Sequence, residues 1–379
     1  MNILICPDSF KDAVSAQQAA NAMARGVKRA APTATTHLCP MADGGEGSLD
    51  ALIAATNAEC RHLTVQDALG RPRQASWGWL SEQRTAFIEL AEASGLQHLT
   101  AQQRDALHTT TYGVGELLLA ALDAGATKAL LFLGGSATND AGAGMLHALG
   151  AKLLDQNGAP LPPGGAALEQ LAILDLSTLD PRLSKLSVEA AVDVDNPLLG
   201  DRGASAVFGP QKGASTEDVA TLDRALGHFA DLSAQVLGRD DRALSGAGAA
   251  GGMGFAAHCF LNATLTPGIE IIMQQAKLPS LLPGIDLVMT GEGRLDGQSL
   301  SGKTPIGIAR AAQRQGKPVI VLAGSLGDGW EACLEEGVTA AFALADGPMT
   351  LEDALPRTAE LLAARCESIT RLWLARQTE

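Results

Sequence analysis

Short apolar runs with strand character recur along the chain, at residues 3–6, 85–90, 129–133, 188–192, 286–289, 318–322 and 338–344. Stretches of helical period separate them, at 15–30, 113–124, 142–149, 216–237, 305–314 and 351–374. The first of these has Ser15 as its N-cap and Pro32 just beyond its end; the others are rich in Ala and Leu, which gives good propensity and a wide apolar stripe. Strands alternating with helices predict an α/β protein with mostly parallel, doubly wound sheets. Residues 155–165 and 238–254 are the richest in Pro, Gly and polar side chains and read as surface loops or crossings between domains.

Length and composition narrow the picture. At 379 residues the chain exceeds what one core of about 250 to 300 residues covers, so two α/β domains are expected. Apolar residues make up 46% and charged residues 18%, the mark of a buried-core protein. The net charge of −14, with no basic block, argues against nucleic acid or an anionic membrane as partner. The cysteines at 6, 39, 60, 259, 333 and 366 form no CxxC clip and the histidines no HxxxH pair, so neither type is spaced to hold a transition metal. The N-terminus has no basic segment and only four apolar residues in a row before Pro7, so the expected location is the cytoplasm.

Open α/β sheets bind ligands at the carboxyl ends of their strands, and four such ends here are unusually polar. They read Pro7-Asp8-Ser9-Phe10-Lys11, then Gly134-Gly135-Ser136-Ala137-Thr138-Asn139-Asp140, then Asp193-Val194-Asp195-Asn196, and Thr290-Gly291-Glu292-Gly293-Arg294. Any single Asp or Asn there could simply cap the next helix. The 134–140 stretch has the composition of a phosphate cradle: two glycines admit backbone N–H groups to an anion, two hydroxyls add donors, and a helix follows. Around 41–47 (MADGGEG), Asp43 and Glu46 suit either a helix start or a hydrated Mg²⁺. Cations are scarce, so Lys11, Lys212, Arg294 and Lys303 beside these loops are informative; with Mg²⁺ they would suit the charge of a phosphoryl transition state.

Two literal motifs are discounted. Residues 297–304 (GQSLSGKT) spell a P-loop, but six residues separate Gly297 from a strand expected to end near Thr290. Residues 246–251 (GAGAAG) spell GxGxxG without a preceding strand, and this glycine-rich segment reads instead as a close-packed crossing or a hinge.

The blocks PDSFK from Pro7, ADGGEG from Ala42, GGSATND from Gly134, DVDNPLLG from Asp193, FGPQKGAS from Phe208, GAGAAGGMG from Gly246 and TGEGRLDGQSLSGKTP from Thr290 also carry a resemblance. In this order and over essentially the full length, the chain resembles the bacterial type-1 glycerate kinases. The resemblance implies phosphorylation of D-glycerate by ATP with Mg²⁺, giving 2-phosphoglycerate, in a cleft between two α/β domains. Relatives can lack a hydroxyl at Thr304, which weakens the P-loop reading, and an acid where Asp195 stands, which favours Asp193 as the catalytic carboxylate.

Because motif blocks lie at both chain ends, residues 1–65 with 285–379 are expected to form a discontinuous Rossmann- or flavodoxin-like domain and 66–284 a second α/β domain. In this reading Asp193 orients or deprotonates the glycerate hydroxyl, and Lys11 and Arg294 act on the carboxylate or the moving phosphoryl group. Asp8, Ser9, Asn196, Gln211 and Lys212 bind substrate. Gly134, Gly135, Ser136, Thr138, Asn139, Asp140 and Lys303 hold the nucleotide, and Asp43, Glu46 and Glu292 hold Mg²⁺. A 3-phosphoglycerate-forming kinase, a sugar-acid phosphatase and a small-carboxylate-binding protein stand as alternatives; the chain is a monomer or a homodimer.

Overall fold

A computed structural model describes residues 1–376. In chain order its strands are β1 (Asn2–Ile5), β2 (Thr35–Leu38), β3 (Glu59–Gln66), β4 (Pro72–Leu80), β5 (Thr85–Glu89), β6 (Lys128–Phe132), β7 (Lys152–Leu154), β8 (Ile173–Asp175), β9 (Ser187–Ala191), β10 (Thr264–Thr266), β11 (Leu287–Leu295), β12 (Val319–Leu326) and β13 (Ala340–Ala343). The chain divides into two compact units, residues 1–43, 50–57 and 269–379 in the first and 44–49 with 58–268 in the second.

The first unit holds a five-stranded, wholly parallel sheet in the order β13-β12-β11-β1-β2. Counted along the chain this is the 2-1-3-4-5 order of flavodoxin-like sheets, whose switch point lies between its first and third strands, here β1 and β11. The inner strand β1 is buried at Ile3, Leu4 and Ile5, as a strand covered on both faces must be. Helix Ala16–Ala30 begins with a capping box in which Ser15 and Gln18 satisfy each other's backbone N–H groups. Its Ala19, Ala20, Met23 and Val27 pack in one core with Leu361, Leu362 and Cys366 of helix Leu351–Arg376.

The second unit is built on a six-stranded sheet, β10-β9-β6-β5-β4-β3, parallel from β10 to β5 and antiparallel at β4 and β3. β7 and β8 form a separate antiparallel pair. Helices Tyr112–Asp123 and Ala143–Ala148 follow β5 and β6, and the long helix Thr216–Leu237 is opened by a Ser215–Asp218 capping box. The glycine-rich stretch from Gly246 is not a surface loop: Gly246, Gly248, Gly251 and Gly252 are buried, and helix Ala249–Leu261 starts within it. Its kink runs through left-handed Ala250, Gly251 and Gly252, and a Cβ on Gly251 would collide with the Thr138 carbonyl. The segment is a close-packed crossing beneath the loop that follows β6.

Candidate active site

In the first unit the polar chemistry gathers at the switch point. Leaving β1, the Asp8 N–H donates to the Gly291 carbonyl (2.8 Å), and the Met41 N–H, beyond β2, donates to the Pro7 carbonyl (2.9 Å). These bonds fix Asp8, half-buried, with its Oδ1 accepting from Ser9 N–H (2.6 Å) and its Oδ2 from the Thr304 hydroxyl (2.5 Å). Burial, and then the charge of Asp43, push the Asp8 carboxyl up to about 7 in spite of those donors. Glu292 lies within β11 at 8% exposure and accepts from the Ser299 hydroxyl (2.7 Å). Burial above all, with Asp8 and Asp43 adding to it, raises its carboxyl to about 7 against the pull of Ser299 and Lys303. Two acids near neutrality and a third beside them make a place where a proton or a cation is held at little cost.

Around this cluster Lys303 caps helix Thr304–Gln313 and is half-buried, Lys11 is exposed, and exposed Arg294 lies 3.0 Å from Asp296. The stretch 297–304 starts closer to its strand than its sequence suggests, because β11 runs on to Leu295 and leaves only Asp296 before Gly297. It still differs from a phosphate-wrapping loop: residues Gly297–Ser301 form a 3₁₀ turn boxed by Asp296 and Ser299, and the Thr304 hydroxyl is engaged by Asp8. A cavity of about 760 Å³ opens by Asp286, Pro318 and Thr339, at the amino ends of the strands and away from the acids.

In the second unit, Gly134–Asp140 follows β6. Gly134 is half-buried and Gly135 exposed, while everything from Ser136 to Asp140 is buried. A Cβ on Gly134 would stand 2.5 Å from Gly45 Cα, and the Gly134 N–H donates to the Gly44 carbonyl at 3.4 Å. On its other side Gly44 (φ +98°) lies against Asp193, whose Oδ2 is 2.9 Å from where a Cβ would be. Asp193 itself is exposed and accepts from the Gly268 N–H at 2.9 Å. The 44–49 segment is therefore seated between the ends of β6 and β9. Glu89, buried at the end of β5, fastens it by accepting from the Gly47 (3.3 Å) and Leu49 (3.1 Å) N–H groups, and so fills the start of helix Ser48–Thr56 with a protein carboxylate.

Several expected site residues are engaged by hydrogen bonds within the protein. Lys212, expected on substrate, is 1% exposed and lies beneath the 134–140 loop, donating to Ser136 Oγ and the Thr138 carbonyl at 2.7 Å each. Asp140 uses its oxygens on Thr111 N–H and hydroxyl and on the N–H groups of Gly142 and Gly144, holding the loop to the helix starts behind it. Thr138 and Asn139 are fully buried and Ser136 is nearly so, at 6% exposure, which leaves Gly134 and Gly135 as the accessible part of the loop. The Asn196 amide donates to the Arg202 carbonyl (2.7 Å), and the exposed Gln211 gives its carbonyl to Arg104. Glu46 is exposed in the second unit, whereas Asp43 and Glu292 belong to the first. Among the described residues no group of three or more His, Cys, Asp or Glu side chains is arranged to hold a metal ion.

Glu89 is not among the residues the sequence singles out, and Thr304 and Ser299 enter there only through the discounted 297–304 motif, with no role at the site. Glu89 was within reach of the strand-end rule, since it is the last residue of β5; the apolar run was taken one residue too far, to Leu90.

A family model described as the glycerate kinase family matches residues 3–374. A glycerate 2-kinase of Escherichia coli is 48% identical over 93% of both chains, and a glycerate kinase of Bacillus subtilis 47% identical over 97% of both. A crystal structure provisionally assigned as glycerate kinase 2 from Salmonella typhimurium LT2 matches with a TM-score of 0.90 at 46% identity, covering 100% of each chain.

Proposed function

Because the chain belongs to the glycerate kinase family and is thus a phosphotransferase with an alcohol acceptor, we propose that it moves the γ-phosphoryl group of ATP, with Mg²⁺, to the 2-hydroxyl of D-glycerate in the cytoplasm. The observation that carries the donor half is the glycine-edged Gly134–Ser136 rim with a buried lysine beneath it, a built anion site in a chain poor in cations. The preference for position 2 rests on likeness to the glycerate 2-kinase.

Within this reading Gly134, Gly135 and Ser136 bind phosphate oxygens. Lys11 and Arg294, both exposed, steady the glycerate carboxylate or the moving phosphoryl, and Asp8 and Ser9 border the substrate. Asp193, hydrogen-bonded to a backbone N–H and open to solvent, orients or deprotonates the hydroxyl, a contribution of about 10²- to 10⁴-fold in rate. Mg²⁺, when bound, neutralises charge on the phosphate oxygens. It usually takes one or two carboxylates and completes its shell with phosphates and water, and Asp43, whose charge raises both Asp8 and Glu292, together with Glu292 fits that kind of site better than a protein cage.

The test is glycerate-dependent ADP release, compared with hydroxypyruvate, tartronate and glucarate, followed by phosphorus NMR of the product. A 2-phosphate resonance is expected, and Asp193→Ala should abolish turnover while leaving the fold intact. Phosphate release without ATP consumption would point to a phosphatase, and glycerate binding without turnover to a binding protein.

A further inference from the structure

Lys212 ends the short turn Pro210–Lys212 and is buried, yet no carboxylate oxygen lies within salt-bridge distance of its ammonium among the described residues. Its two acceptors are the neutral Ser136 hydroxyl and the Thr138 carbonyl. The charged groups facing its turn are Asp140, whose oxygens are already engaged by four donors, and Arg104, which is bonded to the Gln211 carbonyl. Nearby, Thr138 Oγ1 and Asn139 Oδ1 are buried with no hydrogen-bond partner. A buried cation without a counter-ion is costly, and is kept where an anion completes it. A hydroxyl that accepts from an ammonium must also aim its own hydrogen elsewhere, and the accessible neighbours of Ser136 are Gly134 and Gly135.

We propose that Lys212 is a positioning residue of a phosphoryl-binding subsite at Gly134–Ser136, acting through Ser136 and carrying its proton when a dianionic phosphoryl group is bound. The inference rests on the kinase reading only for the source of that anion. Burial lowers the Lys212 ammonium to about 7, with Asp140 opposing weakly, so the empty subsite is largely neutral above that pH. Binding a dianion restores the proton. At pH 8 a group titrating near 7 is about nine-tenths deprotonated, so binding takes up close to ~0.9 proton per site.

The experiment is titration calorimetry of inorganic phosphate into the full chain at pH 8, where phosphate is already mainly dianionic, in two buffers of different ionisation enthalpy. Wild-type protein should take up a large fraction of a proton per phosphate bound, and Lys212→Met should take up none. Ser136→Ala keeps the lysine and so keeps the uptake, but should bind phosphate about tenfold more weakly. If Lys212→Met does not fold, Ser136→Ala together with the wild-type uptake decides the matter. Absence of phosphate binding, or binding without proton uptake, overturns the proposal even in an enzyme that consumes ATP; proton-linked binding in a protein that never consumes ATP overturns the kinase reading instead.

Discussion

Replacing Asp8 by Asn should make the protein more stable and less active, and the size of the gain can be worked from the carboxyl's surroundings. In the unfolded chain this group titrates near 3.8, whereas burial and Asp43 bring it to about 7 in the fold. Below pH 3.8 both states are protonated and Asp8 contributes no pH dependence. Between the two values the native state binds the proton more tightly, so unfolding becomes easier as pH rises, and the loss is complete above about 7. A shift of some three units at ~1.36 kcal/mol each sets a ceiling of about 4 kcal/mol, and screening of a half-buried group brings it to about 2 to 4 kcal/mol. Asn is isosteric, still accepts from Ser9 N–H, and lets Thr304 reverse its hydroxyl. It also removes a charge that raises Glu292, so the two effects are coupled. Urea unfolding in EDTA at pH 4 and pH 8 reads the difference directly: the variant and wild type should coincide at the lower pH and separate by that amount at the higher, while glycerate-dependent ADP release falls. Parallel stability curves across that range would refute the argument that Asp8 sits under electrostatic strain.

Other consequences can be checked separately. Gly251→Ala, at φ +69° and against the Thr138 carbonyl, should cost more than ~2 kcal/mol in denaturant melts, whereas Gly297→Ala, whose nearest neighbour is 3.6 Å away, should leave stability unchanged. Glu89→Ala removes the acceptor for two backbone donors and should lower stability by about 1 to 3 kcal/mol. The same variant should speed amide exchange at Gly47 and Leu49 above that of the surrounding sheet; equal protection would show that the segment is held by other means.

The parallel core was legible in the sequence because β1, β5, β6, β11 and β12 carry uninterrupted apolar runs and β9 is broken only by Glu189, and helix Thr216–Leu237 because Ser215 and Gly238 mark both its ends. β2, β3 and β4 were not seen: TTHL and ECRHLTVQ are edge segments with exposed polar positions, and the apolar end of β4, around Trp77 and Trp79, follows a charged beginning. The strand-end rule found Asp8, the Gly134 loop, Asp193 and Glu292. It could not say which of these side chains face outward, because that depends on partners distant in sequence, such as Thr304 for Asp8 and Thr111 for Asp140. Lys212 shows the limit most clearly, since a lysine in a Gly-Pro-Gln-Lys-Gly turn reads as a cation facing substrate until a loop 74 residues earlier is found above it.

The strand order of the first sheet also constrains how the polypeptide can emerge from a ribosome. β1 occupies an inner position with β11 as one neighbour, Ile3 opposite Leu287 and Ile5 opposite Met289. Some 250 residues separate β2 from β11, so at ~5 to 20 residues per second the nascent β1–β2 pair waits about 12 to 50 s with one apolar edge uncovered. During that interval the second unit's sheet can be completed, and only afterwards can the flavodoxin-like sheet close. Chaperone dependence and sensitivity to premature chain termination should therefore fall on the first unit, although it contains the N-terminus.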